Sequence, residues 1–133
     1  MSESDEKKSD NDLANKGGQK TFTFMSAAGE LVTEVIADWM PLHIDDKPAA
    51  DMFYTAYLVK GDSAQRPITF CINGGPGGSS VFLQFGCAGP RILAYDEEGH
   101  EVPGAKGLVD NPSHWLGFTD LVFIDAIGTG YSR

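Results

Sequence analysis

Beyond residue 20 the chain falls into short stretches in which apolar and polar residues alternate. The alternation runs through "TFTF" (21–24) and again through "LVTEVIADWM" (31–40), with "SAAGE" between them and Pro41 after them. A period of two belongs to a strand with one covered face. Two such runs around a turn-forming break predict an antiparallel hairpin that ends before Pro41. "DMFYTAYLV" (51–59), rich in aromatic and β-branched residues, predicts a further strand stopped by "KGD". "RPITFCIN" (66–73) and "TDLVFIDAI" (119–127) are almost continuously apolar, which suits strands covered on both faces in an α/β sheet. "SSVFLQFG" (79–86) predicts one short helix, with Ser79 or Ser80 capping it by accepting a backbone N–H. "AGPRILAYDEEGHEV" (88–102) predicts a loop and then a hairpin about "DEEG", and "NPSHW" (111–115) a turn. The two apolar strands each run into glycines, and ligands in open α/β sheets lie beyond the carboxyl ends of the strands. With a single short helix in sight, the α/β sheet is expected to be incomplete.

Composition narrows the function classes. The 133 residues suit one small domain, and no apolar run reaches the length of a membrane span. Nineteen acidic against ten basic residues give a net charge of -9. No Lys or Arg cluster stands above that background, which argues against nucleic acid and anionic membranes as partners. The opening "MSESDEKKSDNDLANKGGQK" lacks the apolar core of a secretory signal. It reads as a disordered polar leader (1–20) before a folded body (21–133), with a cytoplasmic location expected. Cys71 and Cys87 are too few for a disulfide framework and match no zinc spacing, so reduced thiols are expected. His43, His100 and His114 are scattered among turn residues and predict surface positions. No cofactor or metal is expected.

The densest signal is "CINGGPGGSSVF" (71–82), with four glycines and a proline in six positions. Each glycine costs roughly 0.5–1 kcal/mol in ordering entropy relative to alanine, so the cluster implies a backbone path that side chains would block. A P-loop requires Lys and then Ser or Thr after the last glycine, whereas Gly78 is followed by Ser79 and Ser80. Gly75, Gly77 and Gly78 do not fit the G-x-G-x-x-G spacing, so nucleotide binding is set aside. An oxyanion hole fits better: it needs backbone N–H groups converging about 2.7–3.1 Å from a developing negative oxygen. In α/β-hydrolases one such donor comes from the loop after the third strand, the place "NGGPG" occupies after "RPITFCI". A tight structural turn explains the same residues, and on the pattern alone both readings stand.

"RPITFCINGGPGGSSVFLQFGCAGP" and "NPSHWLGFTDLVFIDAIGTGYSR" together resemble the amino-terminal part of the serine carboxypeptidase family, especially its bacterial branch. In that family an Asn-Gly-Gly-Pro-Gly loop precedes a Gly-Pro, then an Asn-Pro, a Trp, and an Asp-bearing strand ending in Gly-Thr-Gly-Tyr-Ser. The match runs from about Asp51 to Arg133. It implies the amino-terminal portion of an α/β-hydrolase sheet, a hairpin plus central strands. It also implies a hydrolase that cleaves residues from peptide C-termini by acyl-enzyme chemistry. By resemblance, Asn73 and the N–H of Gly74 bind the free carboxylate of the peptide, and the N–H of Gly75 is an oxyanion donor.

Familiar members carry a Glu two residues before the Gly-Pro that helps bind the carboxylate; here the position is Cys87. A thiol is a weak donor and does not replace a protonated acid, which opens an esterase or acyltransferase reading of the same fold. The half-cystine of eukaryotic members is replaced by Gly78. The family's Ser sits in a G-x-S-x-G elbow, followed by Asp and His, and no complete elbow occurs in these 133 residues. Ser132 lies in the segment that precedes the elbow and reads as structural. Asp125, ahead of any nucleophile, is expected to act structurally near the site. The segment is therefore expected to hold binding and oxyanion elements without a catalytic triad and to be inactive alone. A non-catalytic anion-binding segment is the reading from another class.

Overall fold

The computed structural model describes residues 17–61, 65–104 and 107–133. Strands β1 (Gly18–Ser26), β2 (Gly29–Ile44) and β3 (Lys47–Val59) form an antiparallel meander. β4 (Ile68–Ile72) leads into the glycine loop and helix α1 (Val81–Leu83), which continues as a π-helical turn over Gln84–Ala88. β5 (Arg91–Leu93) and β6 (Leu108–Asp110) form a separate antiparallel ribbon, and a 3-10 turn at Trp115–Gly117 leads into β7 (Asp120–Ile124). The main sheet has the order β1-β2-β3-β7-β4, with β7 antiparallel to β3 and parallel to β4.

The period-two pattern sets the register. Phe24 lies opposite Leu31, Val35 opposite Tyr57, and Tyr57 opposite Leu121, which lines these side chains along one face. The core forms there around Phe24, Tyr57, Val59, Cys71, Ala88, Leu116, Leu121 and Phe123. The other face is open among the described residues. Ile68, Phe70 and Ile72 of β4 are each more than half exposed, and Met40 of β2 is exposed as well. This corrects the expectation that "RPITFCIN" is covered on both faces. The α1 and π segment and the 3-10 turn all contribute to one face, and β4 is the edge strand.

Other expectations change in detail. The first hairpin does not end before Pro41, because β2 runs on to Ile44. Pro41 lies opposite Asp51, whose N–H and C=O both pair instead with Arg133. That position of the ladder asks no N–H of Pro41 toward β3. On its other side β1 begins only opposite Ala37, leaving Pro41 at an edge. β2 then turns into β3 through Asp45 and Asp46, with φ of 49° and 60°, the two left-handed residues of a tight hairpin turn. The "DEEG" hairpin is present as the tip of a longer arm, with a bridge between Tyr95 and Glu101 and the β5–β6 ladder below it. At the other end β1 begins at Gly18, ahead of the expected boundary at residue 21; residues 1–16 of the leader lie outside the described residues.

Candidate active site

β4 carries the chain to the sheet edge and releases it into the loop from Asn73 to Gly78. Gly75 and Gly77 have φ of 72° and 94°, the left-handed region that glycine enters without steric cost. Gly78 is required for another reason. A Cβ there would overlap Asn73 Nδ2 and come within 2.8 Å of the Gly74 carbonyl oxygen. Gly74 meets neither constraint, since a Cβ at that position would find open space.

Both ends of the loop are tied down. The Asn73 N–H donates to Ser80 Oγ at 3.0 Å, and the Asn73 side-chain amide donates to the Gly74 carbonyl at 3.2 Å. Ser80 Oγ in turn donates to the carbonyl of Ile124, the last residue of β7. Asp125, next in the chain and buried, accepts through Oδ1 from the Ser80 N–H at 2.8 Å and from Ser79 Oγ at 2.9 Å. Its Oδ2 accepts from the Tyr131 N–H at 3.1 Å. Among the described residues no acceptor within the chain takes the N–H of Gly74 or of Gly75, and both residues are exposed. The loop thus presents unspent donors to solvent.

Of the two serines expected to cap α1, Ser79 accepts the N–H of its first residue, Val81, and Ser80 makes no side-chain cap. Ser80 is the N-terminal flanking residue but has helical φ and ψ of -69° and -3° and makes no side-chain cap, whereas a capping residue has an extended backbone that swings its oxygen over the first turn. Its hydroxyl points to β7 instead. Ser79 Oγ accepts only from the Val81 N–H two residues on, at 3.2 Å. Ser132 donates to the Asp125 carbonyl at 2.7 Å and accepts from the Phe53 N–H at 2.8 Å. All three hydroxyls are committed as donors and as acceptors, with no imidazole among their partners. His43 and His100 are exposed as expected; His114 is half-buried, with Nε2 against the Met25 carbonyl at 2.6 Å and Nδ1 accepting from the Leu116 N–H at 3.2 Å.

Cys87, at the end of the π turn, is exposed, and Asn111 fixes the backbone there. Its side-chain amide donates to the carbonyls of Cys87 and Gly89, each at 2.8 Å. No local signal in the sequence marks the role of Asn111, whose partners lie more than twenty residues away. Both cysteines are free; burial, and secondarily the neighbouring Cys87, push the Cys71 thiol up, the direction of an unreactive thiol. Beside Asp125 an apolar pocket of about 370 Å³ opens between sheet and helix, lined by Phe53, Tyr57, Phe85, Phe123 and Tyr131.

The family model described as "Serine carboxypeptidase" matches residues 29–133. The chain belongs to the serine carboxypeptidase family. It is 34% identical to serine carboxypeptidase-like 44 of Arabidopsis thaliana over 92 residues, which is 67% of this chain and 17% of that protein. It is 32% identical to a carboxypeptidase Y homolog of Arthroderma benhamiae over 84 residues, 62% of this chain and 15% of that protein. Among solved structures it resembles a prohormone-processing carboxypeptidase of Saccharomyces cerevisiae, with a TM-score of 0.60 and 26% identity over 74% of this chain and 20% of the other. The chain therefore spans about a sixth of the length of the curated serine carboxypeptidases it matches. Its mixed sheet with few helices is a partial α/β-hydrolase domain, as the sequence led us to expect.

Proposed function

We propose that this chain supplies the substrate-carboxylate and oxyanion elements of a serine carboxypeptidase-like hydrolase acting on peptide C-termini, with nucleophile, base and acid contributed from outside these 133 residues. The observation that carries the reading is the pair of unspent, exposed N–H groups at Gly74 and Gly75, on a loop anchored at both ends. Buried loops spend their N–H groups internally; this one offers them to an incoming group. Glycine at 74 answers to no contact among the described residues, and close approach of a substrate backbone is a reason for it. In this reading the Asn73 amide and the Gly74 N–H take the terminal carboxylate. The Gly75 N–H stabilises the negative oxygen formed when a serine adds to the scissile carbonyl. The amine then leaves with a proton, and water releases the acyl group.

The exposed thiol of Cys87 favours a second reading, an esterase or acyltransferase, because a weak donor stands where an acid would support the carboxylate. One experiment separates the two. In the active enzyme Asn73→Ala raises KM for blocked dipeptides with a free carboxylate and spares simple esters. Equal activity of the variant on both classes would remove Asn73 from carboxylate binding. Carboxylate binding without hydrolysis would indicate a non-catalytic anion-binding segment.

A further inference from the structure

We propose that Asp125 is a positioning residue that sets the orientation of the Gly74 and Gly75 N–H groups, an inference that rests on the function proposed above. The loop from Asn73 to Ser80 is a closed ring: its first N–H, on Asn73, reaches Ser80 Oγ. The orientation of that ring against the sheet is set where Ser80 meets β7. Two of the contacts there, from the Ser80 N–H and from Ser79 Oγ, end on one oxygen, Asp125 Oδ1. The other oxygen holds the Tyr131 N–H and lies so close to Gly130 that a Cβ there would overlap it. Gly130 is itself left-handed, with φ of 50°. Two glycine-rich segments far apart in sequence, "GGSS" and "GTGYS", are thus joined through the carboxyl group of a residue that is 4% exposed.

Three donors converge on the two side-chain oxygens, and among the described residues no acceptor is paired with them. Asparagine keeps the shape but offers one oxygen and one NH2 group. Whichever way the amide turns, its NH2 faces either the Ser79–Ser80 end of the loop or the Tyr131 N–H, donor against donor. In the first orientation the ring loses its contacts with residue 125, and in the second the tie from that residue to the "GTGYS" segment is broken at Tyr131. A shift of about 1 Å at a reacting centre costs about a hundredfold in rate, and the Gly74 and Gly75 amides sit on this ring.

The test compares wild type, Asp125→Asn and Ser79→Ala in the enzyme that carries this segment, with kcat counted per site titrated by a fluorophosphonate. A folding defect lowers the titre; a displaced loop lowers kcat per titrated site. We expect Asp125→Asn to lower kcat about tenfold to a hundredfold on peptides and esters alike, with KM moving less than about twofold. Ser79→Ala, which leaves the Ser80 N–H on Oδ1, has a smaller effect of the same kind. Asp96→Asn, at the exposed hairpin tip, leaves kcat unchanged. In the same samples 15N relaxation of the Asn73, Gly74 and Gly75 amides reports greater motion in Asp125→Asn. An unchanged kcat per titrated site in Asp125→Asn overturns the proposal; if that variant yields no titratable enzyme, wild-type kcat in Ser79→Ala overturns it. If wild type hydrolyses nothing, the proposed function fails and the relaxation comparison alone decides: equal motion in both proteins rejects the role of Asp125.

Discussion

Adding one methyl group at Gly78 tests the assignment of Asn73 without substituting Asn73 itself. The new Cβ would overlap Asn73 Nδ2 and lie 2.8 Å from the Gly74 carbonyl oxygen. To reach ordinary van der Waals contact the side-chain amide must retreat by about 1 Å. The Gly74 carbonyl, at 2.8 Å, must give as well; it shares a peptide plane with the Gly75 N–H, so kcat falls on acid and ester alike and KM is the discriminating readout. The bond from Asn73 to Gly74 is then lost, and with it the position from which the amide donates to a substrate carboxylate. A hydrogen bond to a charged group contributes about 1.5–3 kcal/mol, so KM for a blocked dipeptide acid should rise about tenfold to a hundredfold. The methyl ester of the same dipeptide lacks the charge and should keep its KM. Steady-state kinetics of Gly78→Ala on the two substrates measure the difference directly. If KM rose equally for acid and ester, or for neither, the amide of Asn73 would not be the carboxylate's partner.

Gly75→Val should lower kcat with the fold retained by circular dichroism. A β-branched residue resists a φ of 72°, and turning the N–H away removes an oxyanion donor, a loss of about a hundredfold to a thousandfold; unchanged kcat would return the loop to a structural turn. Residues 1–133 alone should not react with a fluorophosphonate, since Ser79, Ser80 and Ser132 are engaged by Asp125, Ile124 and Phe53; stoichiometric labelling of any of them, seen by mass spectrometry, would contradict this. The same chain should self-associate through the open face with Phe70 and Ile72, and a reversible, cooperative melt of a monomer would argue otherwise. Burial, opposed by the hydrogen bond from Gln84, raises the Tyr57 phenol above its ordinary 10.0. The unfolded chain therefore releases that proton first, the native state binds more protons above pH 10.0, and stability falls as pH rises there. In the enzyme that carries this segment, urea midpoints in mildly and strongly alkaline buffer should show this fall flattened in Tyr57→Phe; an identical slope in the variant would place its origin elsewhere.

Much of the sheet is legible because alternation is a local signal. The runs that became β1, β2, β3 and β7 each carry their own period or β-branched content. β2 runs past Pro41, a local stop signal, because the reason the proline is tolerated is remote: Arg133 takes both backbone groups of Asp51. Ser80 of "GGSS" departs for a similar cause: its position matches a helix cap, but its N–H and hydroxyl donate to Asp125 and Ile124, more than forty residues away. The glycines of the loop were legible as a group, although only φ values and contacts show that Gly75, Gly77 and Gly78 serve the chain's own geometry while Gly74 does not. The exposure of β4 was hidden because an apolar run records a need for cover and not where the cover comes from.

The fastening of the glycine loop by Asp125 also bears on the order of folding. Ser79 and its carboxylate partner are 46 residues apart in the chain, and β4 pairs only with β7 among the described strands. Strand pairing over such separations is slow, because loop-closure entropy must be met before the contacts form. During synthesis the loop from Asn73 to Gly78 therefore leaves the ribosome well before anything exists to shape it. Its donors converge only after β7 has been laid between β3 and β4, so the site is among the last features of this segment to form, and assembly of the central sheet governs when substrate can first be recognised.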